Sequence, residues 1–247
     1  MTLHSLIIGG TRGIGWELVH LLRNQGHSIS VIGRSRPAEA DHGLSGVHFW
    51  AADVVNGAKL PVILDEIIGR NGPINYLVFL QRYRGNGDKW EGEIDTSLTA
   101  TKNVIEYLLP HFVASGDRAI VFVGSIASTH VVKNQPVGYH VAKAGLRQMA
   151  AFYAVTLGSQ GIRVNCVSPI VTAKKESREF YARNEKITHV LEQAIPLGRM
   201  CTARDVVNVI GFFCSSNSAF VTGQHMLVDG GLALVAPESL ARKIAGV

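Results

Sequence analysis

Residues 3–15 tie the chain to one kind of architecture. A short apolar run, Leu3 to Ile8, leads into Gly9-Gly10-Thr11-Arg12-Gly13-Ile14-Gly15, and a helical pattern follows from Trp16 to Gln25. An apolar run that ends in glycines and feeds a helix predicts a strand, a tight turn and a helix in succession. Gly9, Gly13 and Gly15 let the backbone turn sharply and approach a pyrophosphate, whose charge is favoured at a helix N-terminus. Thr11, Arg12 and Ile14 belong to the same cradle. The spacing is G-x-x-x-G-x-G rather than G-x-G-x-x-G, and a purely structural tight turn is the alternative reading.

The pattern then repeats. A second strand, Ser28 to Ile32, ends in Gly33-Arg34-Ser35-Arg36, about 20 residues past the cradle, where an NAD-selective site places an acidic residue on the ribose 2′-hydroxyl. Here Arg34, with Ser35 beside it and Arg12 in the cradle, suits a 2′-phosphate, so NADP is expected ahead of NAD. Solvated turn charges are the other reading of Arg36 and Arg34. Val47 to Ala51 reads as a third strand running to Asp53-Val54, where the carboxylate of Asp53 either accepts from an adenine amino group or closes a plain turn. A helix over Ala58–Gly69 and a fourth strand over Asn75–Leu80 follow. Alternating strands and helices predict a parallel, doubly wound, Rossmann-like sheet in a three-layer α/β/α sandwich.

Neither a repeat nor a Pro/Gly/Ser-rich linker divides the 247 residues, so one domain spanning 1–247 is expected. Apolar residues make up 47% and charged residues 17%, which argues against disorder, and no apolar run approaches the roughly 20 residues needed to cross a bilayer. No membrane partner is expected. The N-terminal residues carry no basic stretch ahead of the first strand and are not read as a signal peptide, so the cytoplasm is the expected compartment. Three cysteines, Cys166, Cys201 and Cys214, lack paired spacing, and the ten histidines lack metal-ligand spacing; no metal is expected. A formal charge of +5 spread along the chain shows no basic face for nucleic acid, which is not an expected partner, and suits anionic small molecules better.

The fourth strand ends in Gln81-Arg82-Tyr83-Arg84-Gly85-Asn86-Gly87, a polar loop at the ligand-binding edge of the sheet. Arg82 and Arg84 either meet a substrate anion or are simply solvated. A long helix is expected from Asp95 to Leu109, ahead of Pro110, and a strand from Arg118 to Val123 that ends in Gly124-Ser125. Fourteen residues later comes Tyr139-His140-Val141-Ala142-Lys143. A phenol and an ammonium four positions apart on a helix share one face. The ammonium stabilises the phenolate and lowers the tyrosine's pKa from about 10, which suits acid/base work near neutral pH. Taken alone, the same spacing also describes an amphipathic helix with a surface lysine.

Together these elements resemble the short-chain dehydrogenase/reductase family over nearly the whole chain. The likeness rests on Gly9-x-x-x-Gly13-Ile14-Gly15, Asp53, Ser125, Tyr139-x-x-x-Lys143, and Pro169 after Arg163-Val164-Asn165. It extends to Pro196-Leu197-Gly198-Arg199 and to Val221-Thr222-Gly223-Gln224 leading into Val228-Asp229-Gly230-Gly231. The resemblance implies reversible hydride transfer between a nicotinamide and a small or carrier-bound ketone or secondary alcohol. Tyr139 would be the acid/base, Ser125 the donor to the developing alkoxide, and Lys143 the partner of both the phenol and the nicotinamide ribose. The nicotinamide amide would lie near Pro169, Val171 and Thr172.

Several positions depart from the family. Phe79-Leu80-Gln81-Arg82 replace Asn-Asn-Ala-Gly, so the cofactor wall is expected to differ. Ser97 stands where relatives carry the asparagine that holds a water for the lysine. Ile170 replaces a glycine, and Ile8 a common threonine. A nucleotide-binding sensor or partner subunit without turnover is the alternative function. Relatives also pair the two long helices into dimers and tetramers, and Ala142, Ala144, Gly145, Ala150, Ala151 and Ala154 would permit that, although burial against the chain's own sheet explains small residues too. The polar segment over about 172–195, with Lys174, Lys175, Glu176, Arg178, Glu179, Arg183 and Glu185, matches the family's mobile substrate lid.

Overall fold

The computed structural model describes residues 2–37, 44–173 and 178–246. Its first unit is β1 (His4–Ile8), α1 (Gly13–Asn24) and β2 (Ser28–Gly33), followed by β3 (Val47–Ala51), α2 (Leu60–Asn71) and β4 (Tyr76–Phe79). Next come α3 (Lys89–Ile94), α4 (Ala100–Leu108), β5 (Ala119–Val123), α5 (Val137–Gly158) and β6 (Arg163–Pro169). The rest is β7 (Thr172–Ala173), α6 (Arg178–Arg183), α7 (Glu185–Ala194), β8 (Cys201–Thr202), α8 (Ala203–Phe213), β9 (His225–Val228) and α9 (Pro237–Ala245). Seven strands pair in parallel in the order β3-β2-β1-β4-β5-β6-β9, the doubly wound sheet that the alternation predicts.

Side chains alternate across the sheet and divide the core in two. Leu6 and Ile8 join α2, α4 and α5 through Leu64, Val104, Ile105 and Leu146, while Ile7 joins α1 and α8 through Leu18, Leu22, Val207 and Ile210. Strand order reverses at β1, which pairs with β2 on one side and β4 on the other. The chain therefore leaves β1 and β4 toward opposite faces and opens a crevice at their carboxyl ends, where ligands enter sheets of this kind.

Several helix boundaries differ from the sequence-based expectation. The helix expected over Ala58–Gly69 runs over Leu60–Asn71, because Pro61 lies in the first turn, where its missing N–H leaves no bond unmade. The helix expected from Asp95 begins at Lys89. Asp88 caps it by accepting from the backbone N–H groups of Trp90 and Glu91 at 2.8 and 2.9 Å. Between α3 and α4 the backbone widens into a π-turn over Asp95–Thr99. Such turns recur at functional sites, and this one contains Ser97.

On α5, Ala142, Ala150 and Ala154 are buried in the chain's own core, and a Cβ on Gly145 would come 2.9 Å from the Leu98 side chain. Burial against the sheet and the π-turn therefore explains these four positions. Val141, Phe152 and Val155 of the same helix stay 39%, 60% and 82% exposed.

At the amino edge of the sheet, away from the crevice, Arg163 is the centre of a buried polar cluster. Its Nη2 donates to Asp117 Oδ1 at 2.7 Å, and its Nη1 to Ser218 Oγ at 2.7 Å and to the Phe213 carbonyl at 3.0 Å. Tyr76 donates its hydroxyl to the other Asp117 oxygen at 2.7 Å, and burial together with that carboxylate holds the phenol protonated well above its ordinary range.

Within the 172–195 segment, Thr172 lies in β7, and α6 and α7 follow; Lys174, Lys175 and Glu176 lie outside the described residues. No helix among the described residues is long and apolar enough to cross a membrane. Among those residues no group of three His, Cys, Asp or Glu side chains is placed to hold a metal.

Candidate active site

The glycine cradle closes on itself. Gly9 and Gly13 take φ of 87° and 56°, conformations that glycine adopts without steric cost. A Cβ on Gly15 would strike the Gly9 carbonyl oxygen, and one on Gly9 would lie 2.7 Å from the Gln81 nitrogen. Arg12, the N-cap of α1, makes no side-chain cap bond, and the first turn holds no acidic residue. The positive end of α1 is thus left for an anion. Thr11 packs its methyl group against Gly33, and Ile14 packs against the α1-side core. Arg34 and Ser35 are exposed at the end of β2, while Arg36 lays its guanidinium over the Phe49 ring, 6.0 Å from the centroid. Asp53 Oδ1 accepts from the Val55 N–H at 3.2 Å in a turn after β3, with Val54 buried beside it. A bare cradle and an uncapped helix end fit the pyrophosphate of a dinucleotide.

Tyr139 stands in the first turn of α5, with Lys143 one turn on. Lys143 is 4% exposed, and its Nζ lies 5.6 Å from the Tyr139 ring centroid and donates to the Val123 carbonyl at 3.0 Å. The expected shared face exists, and it is turned toward the end of β5 rather than toward solvent. Ser125 lies two residues beyond the end of β5. Its hydroxyl accepts from the Ala127 N–H at 3.2 Å, capping a short turn over Ile126–Ser128 that packs against α5. Pro169 ends β6, Val171 is exposed, and the buried Thr172 donates its hydroxyl to the Ile170 carbonyl at 2.9 Å. Ile170 itself is buried in the core shared with α1 and α8.

The four residues in place of Asn-Asn-Ala-Gly divide between core and crevice. Phe79 is the last residue of β4 and packs in the core, its ring 5.5 Å from that of Phe122; Leu80 packs against the core on the opposite face of the sheet. The expected difference in the crevice wall therefore falls on Gln81 and Arg82. Gln81 Nε2 donates to Thr101 Oγ1 at 2.8 Å and to the Thr96 carbonyl at 3.3 Å, and Thr101 Oγ1 donates to the Ser97 carbonyl at 2.7 Å. This chain of bonds ties β4 to the π-turn. Ser97 is fully buried, and its hydroxyl donates to Glu93 Oε2 at 3.4 Å; Glu93 is itself 2% exposed. The sequence pointed to neither Gln81 as a brace nor Glu93 as a buried partner, because both depend on residues brought together by the π-turn. Arg82 reaches α5 and lies over the Tyr139 ring, its guanidinium carbon 4.8 Å from the centroid.

Comparison with known proteins gives a consistent result. A family model described as enoyl-(acyl carrier protein) reductase matches residues 9–233. The 3-oxoacyl-[acyl-carrier-protein] reductase FabG of Chlamydia muridarum is 27% identical, the match covering 93% of this chain and 96% of that protein. The aldohexose dehydrogenase AldT of Thermoplasma acidophilum, in ligand-free form, superposes with a TM-score of 0.85 at 22% identity over 96% of each chain. A short-chain dehydrogenase from Leptospira borgpetersenii with bound NAD+ superposes with a TM-score of 0.80 at 25% identity, over 94% of this chain and 93% of that one.

Proposed function

Because the chain belongs to the short-chain dehydrogenase/reductase family of oxidoreductases, we propose that it transfers a hydride between NADP and a ketone or secondary alcohol, with Ser125, Tyr139 and Lys143 as its catalytic residues. The observation that carries this reading is the buried Lys143 ammonium held beside the Tyr139 ring at the end of β5. The bound nicotinamide supplies or accepts the hydride. In the reductive direction Tyr139 gives its hydroxyl proton to the carbonyl oxygen, and in the oxidative direction it takes that proton back. Ser125 donates a hydrogen bond to the same oxygen as negative charge develops on it. Lys143 stands next to the phenol, and its ammonium would hold the ribose hydroxyls of the bound cofactor.

The preference for NADP rests on Arg34, exposed where an acidic residue would otherwise meet a 2′-hydroxyl. The Leptospira neighbour carries NAD+, so the fold alone does not dictate the choice. Replacing Arg34 by Asp is expected to weaken NADPH by about 10- to 100-fold, the loss of one charge-assisted phosphate contact, with little change for NADH. Calorimetric titration of both cofactors measures this, and an unchanged ratio between them refutes the assignment. The proposed function is itself tested by following nicotinamide absorbance across a panel of ketones and alcohols. Saturable NADPH binding with no oxidation on any of them would instead favour a nucleotide-binding subunit without turnover. The observation behind that second reading is Ser97, whose hydroxyl is engaged by Glu93.

We also propose that the exposed Val141, Phe152 and Val155 of α5 meet a second copy, giving a homodimer or homotetramer, and that the 172–195 segment closes over substrate. Light scattering is expected to return the mass of at least two chains, and Phe152→Asp with Val155→Asp the mass of one. A monomeric parent protein overturns the assembly.

A further inference from the structure

Arg82 carries a charge that its surroundings do not balance. It sits on the loop leaving β4, anchored by Tyr83, whose ring packs so closely that a Cβ on Gly85 or Gly92 would come within 2.5 Å of it. The guanidinium lies over the Tyr139 ring, its Nη2 donates to Gln135 Oε1 at 3.3 Å, and its Nε is buried without a hydrogen-bond partner. Among the described residues Arg82 forms no ion pair. Stacking on an aromatic ring orients a guanidinium without giving it a hydrogen-bond acceptor, and a guanidinium partly withdrawn from water is favoured by an oxyanion that matches its fork of donors. On the proposed function the cofactor's phosphates belong elsewhere, at the N-terminus of α1 and at Arg34 just after β2, whereas Tyr139 is on the helix after β5.

We propose that Arg82 recognises the substrate, and that the substrate is an oxo or hydroxy carboxylate whose carboxylate is held by Arg82 beside the carbonyl or carbinol facing Tyr139. The inference rests on the hydride-transfer reading and names the substrate class for it. Gln135 and the Tyr139 ring fix the guanidinium in advance of binding, so the anion meets a fork already oriented. The carboxylate takes part in no bond making; it sets which carbon stands at the phenol. The neutral ketone of a thioester-linked substrate would leave Arg82 without its partner.

The test separates recognition from turnover. Tyr139→Phe keeps the ring under Arg82 and removes the acid/base hydroxyl, so binding to the NADPH-loaded variant is read by calorimetry with no reaction. The probes are 2-oxobutanoate and 3-oxobutanoate, with their methyl esters as neutral counterparts. At least one acid is expected to bind about 10- to 100-fold more tightly than its ester. Arg82→Gln in the same background removes that difference, and Arg82→Lys, which keeps the charge but not the fork, restores part of it. Acid and ester binding alike, or Arg82→Gln weakening both equally, overturns the proposal. Acid binding that depends on Arg82 without turnover in the wild type supports the recognition role and refutes the hydride-transfer reading separately.

Discussion

Replacing Tyr139 by Phe is expected to lower kcat by about 10²- to 10⁴-fold, the contribution of a positioned general acid/base, with NADPH binding retained. The substitution removes one oxygen and keeps the ring against which both Lys143 and Arg82 are packed. What is lost is therefore the proton donor and not the architecture around it. On the proposed chemistry the hydroxyl acts when the carbonyl oxygen gains charge, so kcat and kcat/KM should fall together. Nicotinamide absorbance with a substrate that the wild type reduces gives the rates, and calorimetry gives the NADPH affinity. Turnover by Tyr139→Phe at the wild-type rate would remove Tyr139 from the chemistry, whatever its neighbours.

The second large effect is on stability. Arg163→Met is expected to cost about 3–5 kcal/mol, because it leaves the Asp117 carboxylate largely buried with its charge uncompensated. The Arg163 side chain is 9% exposed and that of Asp117 21%, so water relieves little of the loss. For a chain of this length that corresponds to a fall in Tm of roughly 6–20 °C. Pairing Arg163→Met with Asp117→Asn should recover a good part of it, since no orphan charge then remains. Thermal unfolding followed by circular dichroism decides the matter; a single variant within about 1 kcal/mol of the parent would show that the cluster is solvated in solution. The cluster lies at the amino edge of the sheet, opposite the crevice, so NADPH binding measured well below the new Tm should persist.

How much of this was legible in the sequence depends on how local each feature is. The order of strands and helices followed from alternating apolar runs and glycine turns. The third strand, Val47–Ala51, was read to the residue. The helix after the fourth strand was read too short, because its cap at Asp88 and its π-turn lie in a stretch without clear periodicity. Likewise, Arg163 entered the sequence reading only as part of a motif before Pro169. Its partners come from two places far from it in the chain, Asp117 before β5 and the stretch after α8 that holds the Phe213 carbonyl and Ser218.

The sequence by itself determined the parallel α/β layering, the glycine cradle and the pairing of Tyr139 with Lys143, because each depends on neighbours within a turn or two of chain. Only the tertiary structure decided where Phe79-Leu80-Gln81-Arg82 went: two residues into the core, one onto the π-turn and one over the ring of Tyr139. Packing sets those outcomes through contacts between residues distant in sequence, and the span from Arg82 to Gln135 and Tyr139 is formed only when the loop after β4 meets the N-terminal end of α5. A spacing rule reads along the chain, whereas the charge environment of Tyr139 is assembled across it.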